Sequence, residues 1–263
     1  MMQDAELIRL SFFITTLVLC AVWEWKMPRK VLTQNKTYRW LNNLGLIGFN
    51  SLCLSLLMPI VAFGMAHYAE QHELGLFNQW QLPAIVEIFA AVIILDFVIY
   101  LQHLVFHRVP WLWRLHRMHH ADQDIDVTTG TRFHPLEILL SMWIKIACTL
   151  MLGISPLAII VFEIVLNVSA MFNHSNGYLP LKLDKLLRKI IVTPDMHRVH
   201  HSVITQETHS NFGFFLSVWD RLFHTYRAQP KLGHQRVKIG IPLFQSAKEQ
   251  RLDNMLSQPF RNR

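Results

Sequence analysis

The sequence predicts an all-α, polytopic membrane protein, with about four membrane-embedded helical segments under a histidine-rich cap on the cytoplasmic side. Three observations carry this prediction. The 263 residues are 52% hydrophobic and only 16% charged, with a mean hydropathy of +0.25, too apolar for an ordinary soluble domain of this length. The apolar residues gather into runs long enough to cross a hydrocarbon core of about 30 Å as helices. Between and after these runs the chain writes nearly the same pentamer twice, "HRMHH" at 116–120 and "HRVHH" at 197–201, with "HLVFH" at 103–107 before them.

The first run, 7–25, lacks a small-residue cleavage site and ends in bulky aromatics, so it reads as a retained span. A second covers 44–66 and a third 84–107, the latter carrying Glu87 and Asp96. The fourth, 136–172, is broken by "GISP" at 153–156, and reads as a hairpin that enters the bilayer and returns. Lys26, Arg29, Lys30, Lys36 and Arg39 crowd the first loop, whereas no Lys or Arg occurs from Trp40 to His107. The positive-inside rule puts that loop in the cytoplasm. The third span and the hairpin then deliver every histidine cluster to the same face. The net charge of +7 belongs to such flanking positions, and no nucleic-acid-binding motif surrounds it. Cys20, Cys53 and Cys148 lie in apolar segments without metal-type spacing, so neither a disulfide framework nor a thiolate site follows. The domain reading is 1–107, transmembrane helices ending in the first histidine box; 108–230, the cap with its hairpin; and 231–263, a basic, peripheral and partly mobile tail.

Residues three or four apart share a helix face, so each histidine cluster can aim two or three imidazoles at one point. The eight clustered histidines are joined by His174 in "FNHSN" and His134 in "RFHPLE". Ten imidazoles suit two metal ions of five- or six-fold coordination. So many histidines without a nearby cysteine fit zinc poorly; imidazole also suits iron, which can activate dioxygen against an unactivated C–H bond. Ligating imidazoles need orienting partners, and Asp96, Asp122, Asn173 and Asp195 are the candidates. His67, His72, His209, His224 and His234 read as interfacial or surface residues. Phe97, Trp111, Trp113, Phe133 and Trp143 are candidates to line a lipid cleft. Arg114, Arg117, Arg132, Arg188 and Arg198 are candidates to meet an anionic headgroup or an acidic electron donor.

The ordered set "HLVFH", "HRMHH", "RFHPLE", "FNHSN" and "HRVHH", followed by "NFGFFLSVWDRLFHTYR" at 211–227, resembles the fatty acid hydroxylase superfamily, and most of all its bacterial members of the sterol desaturase family. The resemblance runs from about Asp96 to Arg227. It implies a non-haem diiron centre on the cytoplasmic side, held by His103, His107, His116, His119, His120, His174, His197, His200 and His201, with His134 as a tenth ligand, zinc being able to replace iron on purification. It implies dioxygen as co-substrate and the hydroxylation or desaturation of a membrane lipid, fatty acyl, sterol-like or alkylglycerol in class. Since no haem-binding H-P-G-G segment is present, electrons are expected from a separate electron-transfer protein or reductant. A multi-pass location, in a bacterial inner membrane, fits the topology. Two rivals stand beside this reading: a dizinc lipid hydrolase using Asp96 or Asp122 to activate water, and a histidine-rich metal transporter.

Overall fold

A chain entering hydrocarbon must satisfy its backbone hydrogen bonds internally, and the apolar runs do so as helices. The computed structural model describes residues 2–262. The first eight helices are α1 (Met2–Lys26), α2 (Lys36–Leu57), α3 (Ala62–Gln71), α4 (Leu76–Trp80), α5 (Ala84–Arg108), α6 (Pro110–His120), α7 (Pro135–Leu152) and α8 (Pro156–His174). Short helices follow: α9 (Leu181–Leu187), α10 (Pro194–His200), α11 (Thr205–Thr208), α12 (Val218–Leu222), α13 (Gly233–Arg236) and α14 (Leu252–Ser257). Among the described residues there are isolated bridges but no strand.

Five stretches are long and apolar enough to cross a membrane: Asp4–Lys26, Lys36–Trp80, Ala84–Arg108, Pro135–Leu152 and Pro156–His174. The expected hairpin is present, and its arms, of 18 and 19 residues, each reach spanning length. Gly153 ends α7 in the left-handed conformation at φ +67, and the Ser155 hydroxyl accepts the Ala158 N–H to start α8 with Pro156 at its first position. A Cβ on Gly153 would stand 2.4 Å from the Leu74 carbonyl oxygen, so the turn before α4 can rest directly on the hairpin tip. The second span differs from its expected 44–66. It begins at Lys36, where Asn35 caps the Tyr38 N–H, and breaks at Met58, before Pro59, where the chain leaves helical geometry.

The membrane-side core joins α3, α4, α5 and α8. Ala62, Ala66, Ala91 and Ala158 are fully buried there, and small residues of this kind let helices approach closely without a hydrophobic driving force. Phe77, Leu95 and Phe162 fill what remains. Helix α8 also packs on α1 and on a 3-10 turn, Val127–Thr131, that follows α6.

The cap is tied to the helices by buried charge. Arg39 of α2 is fully buried; its Nε and Nη2 donate to Asp122 at 2.7 and 2.8 Å and its Nη1 to Asp126 at 2.5 Å. Asp122 and Asp126 flank the loop immediately after the first pentamer, so this ion cluster sets how α6 leaves its last histidines.

The segment 231–263 departs from the mobile tail expected of it. Val237 and Ile239 pack on Ile125, Ile241 and Phe244 on Ala121, and Met255 on Leu46 and Met118. Because its apolar residues are divided among three small clusters, the segment shows no period that a sequence scan would detect. It also takes up three of the five arginines read as candidates to meet an anionic headgroup or an acidic electron donor. Arg114 donates to the Pro259 carbonyl, Arg117 to that of Gln258, and Arg132 to Gln250 Oε1. Arg188 pairs with Asp184, and Arg198 with Asp195.

Removing one partner of a buried ion cluster leaves uncompensated charge, at a cost of about 3–5 kcal/mol. Arg39→Ala is therefore expected to lower the thermal unfolding midpoint of the detergent-solubilised protein sharply, and adding Asp122→Asn and Asp126→Asn should recover most of the loss. An unchanged midpoint for Arg39→Ala would remove the cluster from its structural role.

Candidate metal centre

Nine histidines converge in two groups whose ligand atoms lie within 4.8 Å of one another: His103, His107, His116, His120 and His200 in one, and His119, His174, His197 and His201 in the other. None is more than 4% exposed. Each pentamer serves both groups, "HRMHH" giving His116 and His120 to the first and His119 to the second, and "HRVHH" giving His200 to the first and His197 and His201 to the second. His103 and His107 come from the end of α5 and His174 from the end of α8.

The spacing of the ring nitrogens is not that of a hydrogen-bond network. His174 Nε2 stands 3.1, 3.0 and 3.1 Å from the Nε2 atoms of His119, His197 and His201. A ring nitrogen carries one proton or one lone pair, so it serves one such partner and not three. Two nitrogens bound at 2.0–2.1 Å and at right angles about one cation would be about 3 Å apart. The contacts His103 to His116 and His107 to His120, both Nε2 to Nε2 at 3.1 Å, repeat that separation in the first group. His200 Nε2 has no hydrogen-bond partner although it is buried, an orphan that a cation in the first group would satisfy. The donor set and its spacing thus fit a metal ion in each group.

The outward nitrogens explain why the inward ones carry lone pairs. Nδ1–H of His103 donates to the Phe212 carbonyl at 2.8 Å, of His119 to Arg132 at 3.2 Å, of His174 to Ala170 at 2.7 Å and of His200 to Ser210 at 2.7 Å. His116 Nδ1 donates to Glu137 Oε1 at 2.7 Å. A proton fixed on Nδ1 leaves Nε2 free to bind a cation. In the cap, burial first and the neighbouring imidazoles second push His119, His120, His197, His200 and His201 well below the usual histidine range. These rings are neutral at pH 7, as metal ligands must be.

The carbonyls of Ser210 and Phe212 lie on a loop that two carboxylates pin. Asp96 accepts the N–H groups of Phe215, Leu216 and the Trp219 indole; Asp220 accepts those of Phe212 and Gly213 at 2.7 and 2.8 Å. Asn211 takes φ +55, its side chain bridging Met196 and Arg227. A Cβ at Gly213 would meet Leu216 O at 2.7 Å. Asn211, Gly213, Trp219 and Asp220 of the segment 211–227 therefore build the loop that orients His103 and His200.

The four expected orienting side chains are placed otherwise than expected. None hydrogen-bonds a clustered histidine: Asp96 holds the loop just described, and Asp122 faces Arg39 and Thr129. Asn173 donates to the Phe214 carbonyl, and Asp195 pairs with Arg29 and Arg198. Burial alone would raise Asp122, but Arg39 and then Arg132 hold it down at about 2. Glu137 takes the orienting role on His116; it stands inside the "RFHPLE" motif, and only the fold reveals the His116 ring beside it. His134 stands apart from both groups. It caps α7, its Nδ1 accepting the Leu136 N–H at 3.2 Å and its Nε2 facing the Leu256 carbonyl. His67 and His72 are exposed and bond locally, while the His209 ring centroid lies 5.4 Å from that of His107.

A cavity of about 530 Å³ opens between α1, α2, α5, α7 and α8. His103, His116, Phe106, Phe133 and Phe214 line it at the histidine end. Of the five aromatics expected along such a cleft, Phe133 is there. Phe97 stacks on Phe223 and packs against Trp219, Trp113 lies against His107 and His120, and Trp111 and Trp143 face outward.

The sequence profile of the fatty acid hydroxylase family matches residues 88–225, just over half of the chain. Among individual proteins, the chain is similar to ornithine lipid hydroxylase of Rhizobium tropici, 29% identical over 59% of this chain and 45% of that one. It is similar to human alkylglycerol monooxygenase, 31% identical over 58% of this chain and 32% of that one. Cholesterol 25-hydroxylase of Rattus norvegicus is 27% identical over 52% of this chain and 46% of its own. The aligned region spans less than half the length of each of these relatives. No solved structure matches the chain.

Two measurements check the site. Loss of an orienting carboxylate typically weakens metal affinity 10- to 100-fold, so Glu137→Ala should show that loss in metal titration. His134→Ala should keep the full metal content and lower stability by about 1 kcal/mol, as expected for a lost cap. Equal metal loss in both variants would contradict this assignment. The neutral cap imidazoles also set a pH dependence in the metal-free protein. Their folded values lie below the unfolded value of about 6.5, so stability is full above that pH and falls as pH drops, by up to about 1.4 kcal/mol per unit for each histidine. Unfolding midpoints that stay flat from pH 7 to pH 5 would sink this reading.

Proposed function

The chain belongs to the fatty acid hydroxylase family, and from that premise we propose that it is a membrane-bound oxygenase that hydroxylates or desaturates a C–H bond of a lipid lying in the cavity beside the histidines. The observation that carries the proposal is the junction: His103 and His116 belong to the first histidine group and also line a largely apolar cavity among the spans. The relatives' names point the same way, each being a hydroxylase or monooxygenase whose name carries an ornithine lipid, an alkylglycerol or cholesterol.

His103, His107, His116, His120 and His200 would hold one iron ion, and His119, His174, His197 and His201 the other, with zinc able to occupy the same nitrogens. Bound there, the two irons supply the reductive use of dioxygen against an unactivated C–H bond, chemistry that no side chain performs alone. The rest falls to the protein's own groups. Phe106, Phe133 and Phe214 keep water from the cavity end, and Glu137 fixes the His116 ring. The Asp96 and Asp220 loop fixes His103 and His200. Catalysis is assigned to residues 108–230 together with the histidine box that closes α5.

The basic loop after α1 packs on the cap, Arg29 on Asp195 and the Thr33 and Gln34 N–H groups on Asp124. This contact and the positive-inside rule support a cytoplasmic cap, in a bacterial inner membrane, where a separate electron-transfer protein or reductant supplies electrons. The rivals fare less well. Transporters place ligands near the bilayer midplane, whereas these histidines lie at helix ends and in the cap. The carboxylates proposed for a hydrolase, Asp96 and Asp122, are engaged by backbone and arginine donors instead.

The test compares lipids from a membrane host expressing the wild type or a His197→Ala, His200→Ala double variant, under isotopic dioxygen. A lipid that gains labelled oxygen, or loses two hydrogens, only with the wild type is the expected result. No such lipid, with both ions bound and a reductant supplied, would overturn the proposal.

A further inference from the structure

The spans hold a second concentration of charge, away from the histidines. Arg9 of α1, Lys145 of α7 and Glu163 of α8 meet on the wall of the same cavity. Lys145 Nζ lies 2.8 Å from Glu163 Oε1, and Arg9 Nη1 donates to Glu163 Oε2. The three side chains are 24%, 12% and 10% exposed for Arg9, Lys145 and Glu163. Two cations therefore share one carboxylate. Among the described residues neither cation has another acidic partner, and most of the donors on both have no protein acceptor.

A structural ion pair in hydrocarbon would be neutral, because an uncompensated charge there is costly. This cluster keeps an excess positive charge and presents it to the cavity. Between it and the histidines the wall is mainly apolar, with Phe13, Ile99, Ile138 and Leu166 beside uncharged polar side chains such as Gln102, Ser141 and Asn167. Glu163 precedes His174 by eleven positions on α8, about 16 Å of helix axis. The cavity, of about 530 Å³, thus has a cationic end, an apolar length and a histidine end, the profile of an anionic amphiphile read from head to reacting carbon.

We propose that Arg9 and Lys145 hold the carboxylate or phosphate terminus of a lipid whose chain runs through the cavity to His103 and His116. The proposal rests on the cavity being the substrate site, as read above. Holding one end at a fixed distance from the histidines selects the carbon presented there, which makes the two cations positioning residues for the site of oxidation.

Binding tests this without turnover. The purified full chain, metal-free in detergent, is loaded with a fluorescent fatty acid and displaced with palmitate, hexadecyl phosphate or hexadecanol. The expected result is that one or both anionic probes displace at least tenfold more tightly than the alcohol. Arg9→Gln with Lys145→Gln should abolish that preference while leaving hexadecanol within about twofold, and Glu163→Gln should retain or sharpen it. Equal displacement by all three probes in the wild type would overturn the proposal with no variant needed. So would a preference that survives in the double variant, or inorganic phosphate competing as well as hexadecyl phosphate. The His197→Ala, His200→Ala variant should bind the probes as the wild type does, so failure of the oxygenase reading and failure of the anion site give different results.

Discussion

Nine imidazole nitrogens turned toward one another are the constraint around which this protein is built. They cannot satisfy each other by hydrogen bonding, since each has one proton or one lone pair to offer. Five of the nine rings are held from behind by a carbonyl or carboxylate, while the outward Nδ1 atoms of His107, His120, His197 and His201 have no such partner. Those acceptors lie largely outside the helices that carry the histidines. The loop at 210–214, the turn at Arg132 and the end of α8 must all be in place before the rings can point inward.

Burying irregular backbone needs its own satisfied partners, and the chain supplies buried charge for the purpose. Asp96 and Asp220 take up the free N–H groups of the 212–219 loop. Arg39 closes the loop after α6, and Arg132 anchors it to Gln250 in the C-terminal segment. Each such group is expensive when unpaired and inexpensive when its bonds are complete. The cap is thus over-determined near the histidines, while the outer surfaces of α1 and α5 carry mainly exposed Leu, Ile, Val and Phe.

Much of this was legible in the sequence, and its failures have physical causes. The spans, the hairpin with its "GISP" turn and the eight clustered histidines follow from hydropathy and spacing, and His174 from its "FNHSN" context. The orienting groups do not. Backbone carbonyls have no letter in the sequence, and Glu137 reaches His116 only through the packing of α7 against α6. Asp96 looked like a histidine partner because it shares a face with His103, yet it acts one step removed, through the loop whose Phe212 carbonyl holds that ring. His134 looked like a ligand because of its motif, but Pro135 begins a helix and the imidazole is used as its cap. The C-terminal segment escaped because its apolar residues serve three separate clusters and carry no common period.

The repeated pentamer has a geometric reason. With 3.6 residues per turn, positions four apart are rotated by about 40° and positions three apart by about 60° the other way, so adjacent residues diverge by about 100°. In "HRMHH" the last two histidines therefore cannot both join the first at one point. His116 keeps His120, four residues on, and releases His119 to the other group; His197 keeps His201 and releases His200. The pair four apart stays together in both pentamers, and in "HLVFH" as well. A single group would need only H-x-x-x-H, so the extra histidine in each pentamer has meaning only when a second group lies beside the first. His120 and His201, stacked with ring centroids 4.5 Å apart, form the wall between them. Writing the pentamer twice, on α6 and at the end of α10, lets two short helices build both groups by exchanging one ring each.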